Sequence, residues 1–312
     1  ALSDEDFRGT SVDEMMSWYG EALGPSNCPG DFGHSLARRW RAAAKDMCSS
    51  PAAAAPAVEC HLVQQTRHHG DGDQLCVLRD VAMDTSVFGN GRLTEQVISA
   101  YKSSKHMQQP YLPFPKGFLA AKCDKKGHWD HRHFPGWNED VVFKGFQDVA
   151  SAPRCDEWVD GKVLLVQRDT FANLFHDSED FFNVFLALAV LQWSSGDTAI
   201  YLTDLYPRGP FWPMWDKVFH GGRAPQLAQN IRDRFHGRHV CFKELGVGIY
   251  GPAAPITVAS WQTPCSRTAL VRAYADFVVR GLGLQGLTHY ALPEPSKEVR
   301  RRWRPAGERR QR

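Results

Sequence analysis

From Cys155 onward, short apolar runs and helix-length apolar patterns follow one another with only brief polar connections, and this alternation limits the chain more than any other feature. Lys162-Val163-Leu164-Leu165-Val166 is short and continuously apolar, the pattern of a strand covered on both faces. Asn173 to Trp193 then reads as a helix stopping at Ser195-Gly196, and Thr198 to Leu202 as the next strand. Arg238 to Leu245 and Gly246 to Tyr250 hold a third. An amphipathic helix over Arg267 to Leu282 follows, with Leu270, Tyr274, Phe277 and Val278 on one face and a stop at Gly281. Strands and helices in this rhythm predict a parallel α/β unit in the second half.

The first half is less regular. Residues 1–59 read as an irregular N-terminal region whose clearest helix runs from His34 to Lys45, ending in the Ala/Pro run Pro51 to Pro56, a boundary or spacer. Cys60 to Asp80 suggests two short strands around the polar turn His68 to Asp73, a pair that Cys60 and Cys76 would tie. Residues 84–140 lack periodicity and are expected to be mostly loop. The chain therefore divides into 1–59, a folded unit over 60–284, and a tail over 285–312. That tail holds eight basic residues from Lys297 onward against two acidic ones.

With 43% hydrophobic residues over 312 positions, disorder and fibrous classes are excluded. The overall net charge is +2. With the tail set aside the rest is mildly acidic, which argues against a dedicated nucleic-acid binder. Eight cysteines are present without a Cys-x-x-Cys pair. Zinc ribbons and thioredoxin-like redox sites thus lose their signature, and the even count favours disulfides and an oxidising compartment over buried thiols. Their pairing stays open among 105 possibilities. No sequon for N-glycosylation occurs, and no run of eighteen apolar residues could cross a membrane. The chain opens at Ala1 without a leader, so either a leader was removed or an N-terminal part is missing.

Gly127-His128-Trp129-Asp130-His131-Arg132-His133 is the densest set of possible metal ligands, suited to zinc or iron, but Lys126 stands where a metallo-hydrolase pattern needs its first histidine. Gly246-Val247-Gly248 and Gly221-Gly222 are incomplete as phosphate cradles. A stronger constellation lies where the first strand of the second half feeds its helix. Arg168 sits just beyond the strand end and Asn173, His176 and Asp180 follow, with His176 and Asp180 four apart on one helical face. Ligands in α/β folds bind at the carboxyl ends of parallel strands. A histidine fixed there by a carboxylate can act as a base. On spacing alone the alternative is structural, with Asn173 capping the helix, His176 packing against Phe175 and Trp193, and Asp180 solvated. Asp204 reads as part of a polar turn or as a ligand contact. Phe211, Trp212, Trp215 and Phe219 read as core or as a sugar-stacking surface.

The stretch Cys155-Asp156-Glu157-Trp158-Val159, then Leu164-Leu165-Val166-x-Arg168, then Phe171-Ala172-Asn173-Leu174-Phe175-His176-x-x-x-Asp180-Phe181, resembles the central block of glycosyltransferase family 61. The plant-type β-1,2-xylosyltransferase branch is nearest, with the EGF-domain-specific O-GlcNAc transferases as relatives. The likeness runs from 60 to 284 and is tightest after Cys155. Gln167 and Asp169 depart from the usual neighbours of the arginine, and Phe181-Phe182 stand in place of Trp-Tyr. The resemblance implies a Rossmann-like acceptor-side half of a GT-B enzyme, with the C-terminal donor domain lacking. Gly286-Leu287-Thr288-His289 echoes only the last letters of that domain's motif. It implies an inverting transferase moving xylose or N-acetylglucosamine from a UDP-sugar to a glycan or glycoprotein acceptor in the Golgi or ER lumen. The membrane anchor would lie outside this chain, and no metal would be required. His176 oriented by Asp180 would be the catalytic pair, and Arg168 and Asn173 would bind substrate. Two alternatives stand beside it: a non-catalytic acceptor-binding fragment, and a zinc hydrolase built on His128, Asp130, His131 and His133.

Overall fold

The computed structural model describes residues 35–50, 54–63, 73–88, 114–127, 139–219, 223–249 and 269–284, together with 11–14, 16–17, 95, 99 and 112. Helix α1 (Ser35–Ala42) leads into strands β1 (Ala44–Ser49), β2 (Val58–Val63) and β3 (Asp73–Asp84), which pair antiparallel in that order. β4 (Leu119–Lys122) pairs antiparallel with β3 and parallel with β6 (Phe146–Val149), while β5 (Lys125–Lys126) closes the edge beside β1. The second half adds β7 (Glu157–Val166), β8 (Thr198–Leu202), β9 (Gln226–Leu227) and β10 (His239–Val247), in spatial order β10-β7-β8-β9 with every neighbour parallel. β10 also pairs antiparallel with β3, so the two halves form one ten-stranded mixed sheet.

Also described are helices α2 (Leu174–Leu191), α3 (Trp212–Val218), α4 (Ala228–Phe235) and α5 (Ala269–Gly281), with a short 3-10 helix over Thr85–Val87 and a π-helical turn over Glu139–Lys144. The apolar run in β7 is continuous because both its faces are covered. Leu164 and Val166 join Ile200 and Leu202 under α2, α3 and α5, whereas Val163 and Leu165 join Tyr201 and α4 residues Ile231 and Phe235 on the other side. Helices on both faces of a partly parallel sheet make a mixed α/β architecture compatible with a Rossmann-like fold. The parallel α/β unit expected after Cys155 is present. It is joined, through β10 and β3, to antiparallel strands of which β2 and β3 are the pair expected over Cys60 to Asp80, whereas β1 and β4 stand in stretches expected to be irregular or loop.

α2 is buried almost all round, as expected for a helix held between a sheet and other helices. Phe182 and Phe185 meet Tyr274 edge to face, and Phe185 also packs on Phe277 of α5. The helix ends earlier than Trp193: Gln192 adopts a left-handed conformation (φ 57°) and its N–H reaches back to Leu188 and Ala189, so the stop needs no glycine. The aromatic cluster Trp215 and Phe219 is core, with Phe211 and Trp212 packed at its margin. Among the described residues, three disulfides staple the sheet. Cys60–Cys76 links residues directly opposed across β2 and β3, Cys155–Cys241 joins the entries to β7 and β10, and Cys48–Cys123 ties β1 to the end of β4. No described cysteine is free; Cys28 and Cys265 lie outside the described residues, as do residues 68–72 of the polar turn, the glycine pair 221–222 and the chain from 285. Among the described residues, no helix is long and apolar enough to cross a membrane.

Candidate functional site

The site forms where β7 runs out. The segment Gln167-Arg168-Asp169-Thr170 leaves the strand end almost fully buried and turns into α2, while the loop after β8 runs alongside, tied by the Thr203 N–H donating to the Val166 carbonyl at 2.8 Å. The two loops touch so closely that any side chain at Gly209 would collide with the Phe171 carbonyl.

Arg168 holds these loops together. Its Nε and Nη2 donate to the Asp204 carboxylate, the closest approach being 2.7 Å, and the Arg168 backbone N–H donates to the same group at 3.0 Å. The remaining guanidinium donors reach the carbonyls of Tyr206 (2.9 Å) and Pro207 (3.0 Å). Both side chains are 1% exposed, so Arg168 faces Asp204 and the following loop, and Asp204 is its structural counter-ion. Asn173 caps α2, its Oδ1 accepting the Phe175 N–H at 3.0 Å.

His176 stands in the first turn of α2 with its side chain one-third exposed. Its Nδ1 lies 2.8 Å from Oδ2 of Asp169 and 3.1 Å from Oε2 of Glu179. The partner anticipated from spacing, Asp180, points into the protein: its Oδ2 accepts the Asp169 N–H at 2.9 Å. Asp180 thus reaches the histidine through Asp169, which is further held by Tyr206, whose Oη donates to the Asp169 carbonyl at 3.2 Å. Asp169 and Glu179 were the residues that spacing alone did not single out. Asp169 already stood out as a departure from the family pattern, and Glu179 lies three residues from His176, the other spacing that shares a helical face.

Five buried carboxylates (Asp169, Asp177, Glu179, Asp180 and Asp204) crowd this strand end. Burial pushes the Asp180 carboxyl well above the ordinary range; the Asp169 N–H opposes this while the charges of Asp169, Asp177 and Asp204 add to it. Burial likewise pushes Asp177 up to about 6, against the opposing pull of Arg168 and a hydrogen bond from Thr170. The folded chain therefore holds this proton more tightly than the unfolded chain, and stability falls as pH rises from about 4 to about 6. Asp177→Asn is expected to remove that loss. The variant should match the wild type at pH 4 and exceed it at pH 7 by up to about 3 kcal/mol, which urea unfolding at the two pH values would measure.

Asp169, His176 and Glu179 are also the described residues whose ligand atoms could share a metal ion, lying within 4.8 Å of one another. Two ligands about 2.05 Å from a tetrahedral zinc stand roughly 3.3 Å apart. The 2.8 and 3.1 Å separations here are hydrogen-bond lengths and fit a proton on Nδ1 between two carboxylates better than a shared ion. The cluster His128, Asp130, His131 and His133 lies outside the described residues.

No family model matches the chain. Over 151 residues it is 26% identical to a β-1,2-xylosyltransferase of Arabidopsis thaliana, a span covering 45% of this chain and 28% of that protein. The likeness supports a relationship to glycosyltransferases, and the matched span is little more than a quarter of the relative's length.

Proposed function

We propose that this chain is the acceptor-side, Rossmann-like half of a GT-B glycosyltransferase of family 61, which transfers xylose or N-acetylglucosamine from a UDP-sugar to a hydroxyl of a glycan or glycoprotein with inversion. The observation that carries the reading is His176 at the carboxyl end of β7, its Nδ1 set against Asp169 and Glu179. The two carboxylates fix the proton on Nδ1 and leave the Nε2 lone pair for the substrate. Nε2 takes the proton of the acceptor hydroxyl as its oxygen attacks the anomeric carbon, and the bond to the UDP oxygen breaks with its electron pair leaving on UDP. No step needs a metal. Arg168 and Asn173 serve by shaping the loop and helix that present the base, and Asp180 by holding the Asp169 backbone.

The three disulfides support the lumen of the Golgi or ER as the place of work, with a type II membrane anchor outside this chain. UDP-sugar and glycan are the partners proposed; nucleic acid is not among them.

The test is incubation of the full-length enzyme that contains this chain with UDP-xylose or UDP-N-acetylglucosamine and glycan or glycopeptide acceptors, read by mass spectrometry. One added sugar is expected, with the yield unchanged by EDTA. The described residues form a single sheet, which favours a second reading, an acceptor-binding unit that does not itself catalyse. Acceptor binding without transfer would select that reading, and neither binding nor transfer would overturn both.

A further inference from the structure

The carboxylates crowded at the end of β7 outnumber the cations that face them. Arg168 directs its donors to Asp204 and to the carbonyls of Tyr206 and Pro207, and the imidazole of His176 lies against Asp169 and Glu179. Asp177 and Asp180, each 1% exposed, are left without a cation in contact. A buried charge with no counter-ion is costly, so a carboxyl in that position keeps its proton to a higher pH. Both residues stand where the loop from β7 meets α2. The Thr170 hydroxyl, which accepts the N–H groups of Ala172 (3.4 Å) and Asn173 (3.2 Å), lies 3.4 Å from Oδ2 of Asp177, and Oδ2 of Asp180 accepts the Asp169 N–H at 2.9 Å. Together these two carboxyls seat residues 169–173 on the helix. Asp169, at the start of that loop, is the residue whose own carboxylate meets His176 at 2.8 Å.

We propose that Asp177 and Asp180 are a proton-operated latch on this loop, closed when both carboxyls are neutral and released when Asp177 gives its proton to solvent. In the closed state Asp169 is held against His176. Loss of the Asp177 proton places a charge among those of Asp180 on the same helix and Asp204 on the loop after β8, while Arg168, the cation on the β7 side, is already engaged by Asp204. Water can reach the new carboxylate only if the loop lifts, and lifting draws Asp169 away from the imidazole. Reprotonation reseats it, so the arrangement around His176 follows the acidity of the surroundings. Burial outweighs Arg168 and the bonds from Thr170 and the Asn173 backbone and holds Asp177 at about 6, whereas Asp180 stays protonated well above that. The closed loop is therefore favoured in acid and lost as pH rises through about 6.

Amide hydrogen exchange of the full chain, read by mass spectrometry at pH 5 and pH 7.5 and corrected for the intrinsic pH dependence of exchange, tests the latch. The amides of residues 169–173 should lose protection roughly 10-fold between the two pH values, the ratio for a carboxyl that titrates near 6 when closed and near 4 when open. β8 should remain at least roughly 10-fold better protected than the loop at both, because the opening is local. Asp177→Asn, neutral at every pH, should keep the loop equally protected at pH 5 and pH 7.5. Unchanged protection of the wild-type loop, or the same fall in Asp177→Asn, would overturn the inference. So would a loop protected as well as β8, since it would then open only when the whole molecule unfolds. None of these readouts involves a sugar. Sugar transfer with a loop insensitive to pH would end this inference and spare the transferase reading; a pH-dependent loop without any transfer would do the reverse.

Discussion

Arg168→Ala is expected to cost about 3–5 kcal/mol of stability, because it strands the Asp204 carboxylate in a site 1% exposed with no cation beside it. The loss extends beyond the ion pair, since the carbonyls of Tyr206 and Pro207 lose their donors as well. Lysine is a poor replacement: one ammonium cannot serve both oxygens of Asp204 and two carbonyls at once, so Arg168→Lys should recover only part of the loss. Replacing both partners is a different experiment. Arg168→Met with Asp204→Leu removes the charges together and should be far less damaging than either single change. Urea unfolding of the four proteins measures the coupling, and a loss below about 1 kcal/mol in Arg168→Ala would show that the pair is not the clamp its geometry describes.

The second large effect belongs to His176. As the base in sugar transfer, its replacement by alanine is expected to lower kcat by about 10²- to 10⁴-fold with little change in acceptor KM. Asp169→Asn and Glu179→Gln should each cause smaller losses, because each leaves a single carboxylate against Nδ1 to orient the imidazole. Asp180→Asn should act only through the Asp169 backbone and cost less than Asp169→Asn. Normal transfer by His176→Ala would remove the histidine from the chemistry. A larger loss from Asp180→Asn than from Asp169→Asn would restore the pairing read from the sequence.

What the sequence made legible follows from how each element is stabilised. β7, β8, β10, α2 and α5 are covered by other elements, so their apolar patterns are long and regular, and they stand within a few residues of their expected bounds. The cross-strand tie Cys60–Cys76 was legible for the same reason, a short strand pair flanking a polar turn. β4, β5, β6 and β9 have two to four residues each and take their place from neighbouring strands, which leaves no periodic signal in the chain itself. At the site, the helical spacing paired His176 with Asp180. It could not distinguish an i+4 residue turned inward from an i+3 residue turned toward the imidazole, nor see that Asp169 would fold back from the loop to meet it.

The central position of β10 governs the order in which the molecule can be completed. β3 ends at Asp84 and β7 at Val166, yet the strand that lies between them is the last of the ten and ends at Val247. During synthesis the antiparallel and parallel halves can each collapse, but they wait as two separate sheets with β3 and β7 presenting bare edges until Val247 clears the ribosome. Closure by so distant a strand is slow, and exposed edges invite pairing with other chains. A polypeptide stopped between Glu179 and His239 retains Asp169, His176 and Glu179 in its sequence, and lacks the strand that joins the sheet carrying them to the rest of the protein.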